Sequence, residues 1–379
     1  MVSQLHVKIG PQFYSYSAGA IDLIPELLPQ HGAKRVLVIH GTKSWAKAQP
    51  YLAALFEAPD LTVTTEAYHG ECSFAEGERL AAIVRERQAD FILGAGGGKL
   101  CDLTLYTAHL TGLPFGLVPT LASNCAPWTP LAVMYKDNGL AEGKTVHIRR
   151  QAAFVLMDPA LILDSPVNYF IAGIADTLAK WYESELILEE PENRTEPMIS
   201  MARHAALMCK DQLLKEAPTA VADMRAGQAT PAFRHITEIV VAIAGTVGGF
   251  GDKYARNTLA HAIHDALSAY VPELHRFLHG EKVAYGIFLQ LACEQRWSTI
   301  DALIPFYQQF HLPMSLTQMG VWPLAPATLT QVCELANSFS KVHLLPFPVS
   351  AASIQAAMET LERYISHNRL VQPVSTAKM

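Results

Sequence analysis

Short apolar, β-branched runs recur through the first part of the chain. They are Arg35–His40, Leu61–Thr64, Phe91–Leu93, Phe115–Val118, Leu131–Tyr135 and Phe154–Met157. Between several of them lie helical patterns, such as Phe74–Gln88 with Leu80, Ala81, Ile83 and Val84 on one side. Strand, helix, strand predicts a mostly parallel sheet covered on both faces. Beyond residue 160 the texture changes and helical periodicity takes over. Ile171–Leu188, Glu196–Leu214, Phe233–Val247, Asn257–Ala269, Glu281–Ala292, Asp301–Gln309, Thr328–Ser338 and Ser353–His367 each read as helices, some separated by proline turns at 217–218, 272 and 345–348. The expected organisation is an α/β domain over 1–160 followed by an all-helical domain over 161–379.

With 379 residues, half of them hydrophobic, the chain can bury a sizeable core. The net charge of −6 is interspersed, and the absence of a basic cluster argues against a nucleic-acid partner. The six cysteines, at 72, 101, 125, 209, 293 and 333, have no C-x-x-C spacing, which fits reduced thiols in a cytoplasm. MVSQLHVKIG lacks a signal-peptide pattern and no apolar run is long enough to span a bilayer, so a soluble, cytoplasmic protein without a membrane partner is expected. The terminal VQPVSTAKM is expected to fray.

The densest chemical signal is FILGAGGGKLCD, a buried strand running through Gly94, Gly96, Gly97 and Gly98 into a helix. Glycines at a strand-to-helix turn let backbone N–H groups approach an anion at the positive end of the helix, and a diphosphate is the natural candidate. The run is not a Walker A loop, because Leu93 stands where its first glycine would be and Leu100 follows Lys99. Nor is it G-x-G-x-x-G, because position 99 is Lys. An unliganded glycine-rich connection remains the plain alternative. At the end of the strand at 36–40, the chain reads His40-Gly41-Thr42-Lys43-Ser44, with no acid to repel a 2′-phosphate. Gly41, Thr42 and Lys43 therefore suit NADP at least as well as NAD.

Gly96-Gly97-Gly98 with Asp102, followed by Pro119-Thr120-Leu121-Ala122-Ser123, resembles the glycerol dehydrogenase branch of the iron-containing/polyol alcohol dehydrogenase superfamily. The resemblance implies a dehydroquinate synthase-like, iron-type alcohol dehydrogenase fold: an α/β dinucleotide-binding domain with a parallel sheet, then an all-α metal-binding domain. It implies that Gly96, Gly97, Gly98 and Asp102 hold the dinucleotide diphosphate, with Pro119, Thr120 and Ser123 on the nicotinamide side. Homo-oligomers are usual in the family.

Three places in the helical half could hold a metal. Asp176 by itself reads as a helix N-terminal charge, His261 as a core histidine and His279 as a helix-entry residue. Together they form an Asp/His/His set of the kind that suits catalytic zinc. The segments AGIADTLAKW, AHAIHDA and HGEKVAYG resemble the metal segments of glycerol dehydrogenases, and the resemblance makes Asp176, His261 and His279 the three ligands. The iron-type branch has a fourth, a His four residues after the Asp, where this chain has Lys180, so a three-ligand zinc site is expected.

The chain departs from glycerol dehydrogenases where a substrate would lie. Cys125 replaces the Asp of their S-T-D-A-P loop, Lys180 follows Asp176 by one helical turn, and Gly251-Asp252-Lys253-Tyr254-Ala255-Arg256 replaces a neutral stretch. A pocket made more basic points to an anionic substrate, most simply a 2-oxo or 2-hydroxy acid held by Lys180 or Arg256. NCAPWTP, GIADTLAKWYE and GGFGDKYAR also resemble the hydroxycarboxylate dehydrogenase subgroup. The plain alternatives pair Lys180 with Glu183 or Glu185 on a solvated face, and Arg256 with Asp252. The expected function is metal-dependent hydride transfer between NAD(P)H and a small 2-oxo acid, with His264 relaying a proton. Its rivals are an NAD-dependent glycerol or polyol dehydrogenase and a non-catalytic nucleotide-binding protein.

Overall fold

The computed structural model describes residues 4–137, 139 and 141–367; the terminal VQPVSTAKM lies outside the described residues. The described residues form eight strands: β1 (Phe13–Tyr16), β2 (Arg35–His40), β3 (Thr62–Ala67), β4 (Phe91–Gly96), β5 (Phe115–Pro119), β6 (Leu131–Tyr135), β7 (Ala141–His147) and β8 (Phe154–Met157). Six of them form one sheet in the order β1-β8-β5-β4-β2-β3, and its pairings are parallel throughout. β6 and β7 pair separately as an antiparallel ribbon. The central strands are buried along their whole length, as β4, β5 and β8 illustrate, because helices cover both faces of a parallel sheet. Phe91 and Phe154 stack at 5.5 Å within the core that also holds Val36, Val38, Leu93 and Val118.

β1 and β7 escaped the sequence pattern for physical reasons. β1 is an edge strand that keeps Phe13 exposed, and AEGKTVH in β7 has no apolar face to read.

By contact the chain divides into two compact units. One comprises 8–170 with 219–246, and the other comprises 1–7, 171–218 and 247–379. The division is discontinuous, where the sequence suggested a single boundary after 160. The reason is a helix. Pro197–Arg225 runs unbroken through Pro218, where a turn had been expected. An interior proline costs a helix ~3 kcal/mol, but Ala217, Ala220, Val221 and Met224 are all buried there and their packing keeps the chain helical.

In the helical unit the elements that matter are α1 (Val167–Tyr182, entering the unit at Ile171), α2 (Leu259–Tyr270) and α3 (His279–Cys293). Two glycines of HGEKVAYG set their spacing. A Cβ on Gly280 would overlap the carbonyl oxygen of Ala172 in α1, and one on Gly286 would overlap that of Ala260 in α2. Helix α3 therefore packs backbone against backbone on both neighbours, closer than any side chain permits. That approach brings the start of α3 beside the middle of α1.

Gly280→Ala is accordingly expected to force α3 away from α1 and to lower stability by about 3 kcal/mol. Chemical denaturation monitors it directly, and an unchanged midpoint would show that the close approach is dispensable.

Candidate metal centre and dinucleotide turn

Asp176 lies in the interior of α1, so it is not a helix-entry charge. It is 3% exposed, and its Oδ1 lies 3.3 Å from His261 Nε2 in the first turn of α2 and 3.2 Å from His279 Nε2 at the start of α3. The ligand atoms of all three residues fall within 4.8 Å of one another. His261 Nδ1 is 2.6 Å from Glu183 Oε2 and donates to it, which turns Nε2 toward the Asp176 carboxylate oxygen. Asp176 Oδ1, in turn, is buried without a hydrogen-bond donor. Acceptor atoms converging in this way repel unless a proton or a metal ion lies among them. Tetrahedral ligation at ~2.1 Å separates donor atoms by ~3.4 Å, close to the observed spacing. The donor set therefore fits a divalent metal ion.

The electrostatics point the same way. Burial works against an ionised Asp176, but the two histidines and Lys180 outweigh it and hold the carboxyl well below its usual range. Burial likewise pulls His261 down, but the Glu183 and Asp176 carboxylates outweigh it and hold the ring up to about 9. The centre stabilises positive charge at His261 Nε2.

His264, one turn after His261, is buried. Its Nδ1 lies 3.0 Å from Asp265 Oδ1, and its ring stands edge-on to His279 at 4.4 Å. Burial, then the neighbouring His279 and Lys282, drive it well below the usual histidine range, so it is a neutral imidazole. Asp265 also accepts from Lys341 at 2.9 Å.

The face around Lys180 is not solvated. Lys180 is 9% exposed, Glu183 is committed to His261 and Thr258, and Glu185 Oε2 lies 2.7 Å from Arg296. Arg256 forms the pair with Asp252 that was its plain alternative, at 3.1 Å, while its Nε is buried without a hydrogen-bond partner.

In the sheet unit, the chain passes from β2 outward to β3 and then back across to β4. The crevice beyond the carboxyl ends of β2 and β4 is the topological switch point, where open α/β sheets take ligands. Gly41 follows β2, and Gly97 and Gly98 follow β4, so both candidate dinucleotide segments stand there. Thr42 begins a short helix and, with Lys43, is exposed. His40 stacks on Trp45 at 4.1 Å beneath them.

Only part of the glycine run forms the turn. Gly94 and Gly96 belong to β4, where a Cβ on Gly94 would overlap Thr104 of the following helix, Gly98–Thr111. Gly97 and Gly98 make the turn, with Leu121 and the Asn124 amide packed against them. Lys99 is held by both oxygens of Glu71, at 2.8 and 2.7 Å, above the Tyr135 ring. Pro119 ends β5, and the Thr120 N–H bonds Gly96 O at 3.1 Å, which ties the loop carrying Ser123 and Cys125 to the turn. Cys125 is half-buried and its carbonyl accepts from Trp128 N–H at 3.0 Å.

Asp102 does not reach the turn's surface. It is buried, its Oδ2 accepts from Val133 N–H at 3.1 Å and its Oδ1 has no hydrogen-bond partner, so it ties β6 to the helix. Glu183 was the residue the sequence reading missed as a site residue. Its only signal was its place seven residues, two helical turns, after Asp176.

Residues 11–159 match the family described as iron-containing alcohol dehydrogenase. Hydroxycarboxylate dehydrogenase A of Escherichia coli (strain K12) is 34% identical over 363 residues, which is 95% of this chain and 98% of that protein. The chain belongs to the iron-containing alcohol dehydrogenase family. It is an oxidoreductase. Among its relatives in the family, glycerol dehydrogenase of Thermotoga maritima is 30% identical over 360 residues, covering 94% of this chain and 96% of that one. A probable glycerol dehydrogenase from Sinorhizobium meliloti superposes with a TM-score of 0.84 at 30% identity, covering 96% and 99% of the two chains. No helix among the described residues is long and apolar enough to cross a membrane.

Burial pushes the Asp102 carboxyl up to about 8, with the Val133 N–H opposing that shift. The folded protein thus keeps a proton that the unfolded chain releases above its ordinary 3.8, and unfolding sheds it. Stability contributed in acid is therefore lost as pH rises from about 4 to about 8, then levels off. Asp102→Asn keeps an acceptor for Val133 and is expected to flatten that decline. Denaturation curves at pH 5 and pH 8 compare the two proteins, and identical pH slopes would contradict the assignment.

Proposed function

We propose that this oxidoreductase reduces the carbonyl of a small 2-oxo acid, with Asp176, His261 and His279 holding a catalytic metal ion, zinc in the first instance. Lys180 carries the reading: a buried ammonium, one turn from Asp176 on the same helix and close enough to depress its carboxyl, adds positive charge where family members with four ligands place a histidine. Such a group attracts a carboxylate, and its burial strengthens that attraction. The 34% identity to hydroxycarboxylate dehydrogenase A supports it.

When bound, the metal supplies Lewis acidity toward a carbonyl oxygen and a nicotinamide supplies the hydride. Asp176 and the two histidines fix the position of that oxygen. Lys180 orients the substrate carboxylate; Arg256, engaged by Asp252, is the weaker candidate. His264, neutral with its proton on Nδ1 toward Asp265, presents Nε2 as an acceptor that takes a proton from water and hands it on to the product oxygen. Gly97 and Gly98 receive the diphosphate, with Thr120 and Ser123 on the nicotinamide side. Gly41, Thr42 and Lys43 offer no carboxylate to the adenosine ribose and accept NADP as well as NAD. A homo-oligomer in the cytoplasm is part of the same reading.

The second reading, a glycerol or polyol dehydrogenase, has the relatives of that name in its favour. Cys125 stands against it, because it removes the carboxylate that would bind a polyol hydroxyl.

The direct test is oxidation of NADPH and NADH with a panel of 2-oxo acids, beside NAD(P)⁺ reduction with glycerol, before and after metal chelation. Chelator-sensitive turnover of 2-oxo acids is expected, and turnover of glycerol alone would replace the first reading by the second. Lys180→Ala is expected to raise KM for 2-oxo acids at least ~10-fold, the loss of one charge-assisted contact, with little effect on an uncharged aldehyde. Equal effects on both would remove Lys180 from carboxylate recognition.

A further inference from the structure

We infer that Glu183 is the positioning residue of the metal centre, fixing His261 in the tautomer and orientation that make Nε2 a ligand. The inference rests on the metal reading above. Glu183 is fully buried and receives three hydrogen bonds at two oxygens. Oε2 takes His261 Nδ1–H at 2.6 Å, and Oε1 takes the backbone N–H of His261 at 2.9 Å and that of Thr258 at 2.8 Å. One carboxylate therefore grips both the ring and the backbone of the same histidine. With its backbone end pinned, the carboxylate cannot swing, and the ring cannot rotate without losing its bond. A carboxylate only accepts, so the proton of the neutral ring must sit on Nδ1 and the lone pair on Nε2, facing Asp176.

A separate set of bonds holds the start of α2 without touching the ring. Gln290 Oε1 accepts from Ala260 N–H at 3.2 Å and lies 3.0 Å from Thr258 Oγ1, while Gln290 Nε2 donates to Tyr182 O at 2.9 Å. Positioning of the ring and anchoring of the helix are thereby separable by substitution.

Glu183→Gln is nearly isosteric. Its amide oxygen keeps the two backbone donors, which turns the NH₂ group onto His261 Nδ1. Nδ1 must then accept, the ring proton moves to Nε2, and the ligand lone pair is lost. Zinc affinity, measured by competition with a chromophoric chelator, is expected to fall ~10–100-fold, with thermal stability of the metal-free protein close to wild type. Gln290→Met is expected to lower stability while leaving zinc affinity near wild type. In the zinc-loaded wild type, long-range ¹H–¹⁵N spectra are expected to place the proton on Nδ1 and the metal on Nε2, and this holds whether or not either variant folds. Unchanged zinc affinity in Glu183→Gln overturns the inference. So do equal losses in both variants, or a metallated Nδ1. Wild-type protein that binds no zinc overturns the metal reading, and this inference falls with it.

Discussion

The structure of the helical unit depends on one unfavourable juxtaposition: a buried carboxylate oxygen facing two imidazole nitrogens at 3.2 and 3.3 Å. The carboxylate oxygen and the two nitrogens repel unless a proton or a metal ion lies among them. They are held by backbone contacts that no side chain can relax. Gly280 seats α3 against the Ala172 carbonyl and Gly286 seats it against Ala260, so the ligand-bearing turns are fixed by main-chain packing. Glu183 and Gln290 then pin the start of α2 from below. The arrangement is rigid around the three side chains, as preorganisation of a site requires.

Much of this was legible in the chain, though unevenly. The parallel sheet declared itself because its central strands are buried on both faces and read as unbroken apolar runs. β1 did not, since an edge strand buries less and carries a weaker pattern. The continuous helix through Pro218 was hidden because the local cost of proline is visible in sequence while the packing of Ala217, Ala220 and Val221 that offsets it is tertiary. The four glycines at 94–98 looked like one feature and proved to be two. Gly94 and Gly96 serve strand-to-helix packing, and Gly97 and Gly98 make the turn.

The site residues divide along the same line. Asp176, His261 and His279 were found because their segments carry a family pattern, not because their spacing dictates a site; each taken alone favours an ordinary structural role. Glu183 was missed because its function depends on a partner 78 positions away. Asp102 was placed in the cofactor site by its motif, and the structure adds that its carboxyl ties the helix to β6. A motif records which residues go together. Only the packing distinguishes those that touch a ligand from those that support the ones that do.

Charge around the centre explains how one scaffold can serve different substrates. A histidine four residues after Asp176 would add a neutral ligand and tighten the metal. Lys180 at that position contributes a buried positive charge instead, which helps to keep the Asp176 carboxyl ionised. Asp176 and Glu183 supply the compensating negative charge, and both are kept ionised by the groups that surround them. The centre thus sets negative and positive charge side by side in a buried interior. Glu183, by accepting from His261 Nδ1, raises the basicity of Nε2, the nitrogen that faces Asp176, and so would strengthen its hold on a metal ion there.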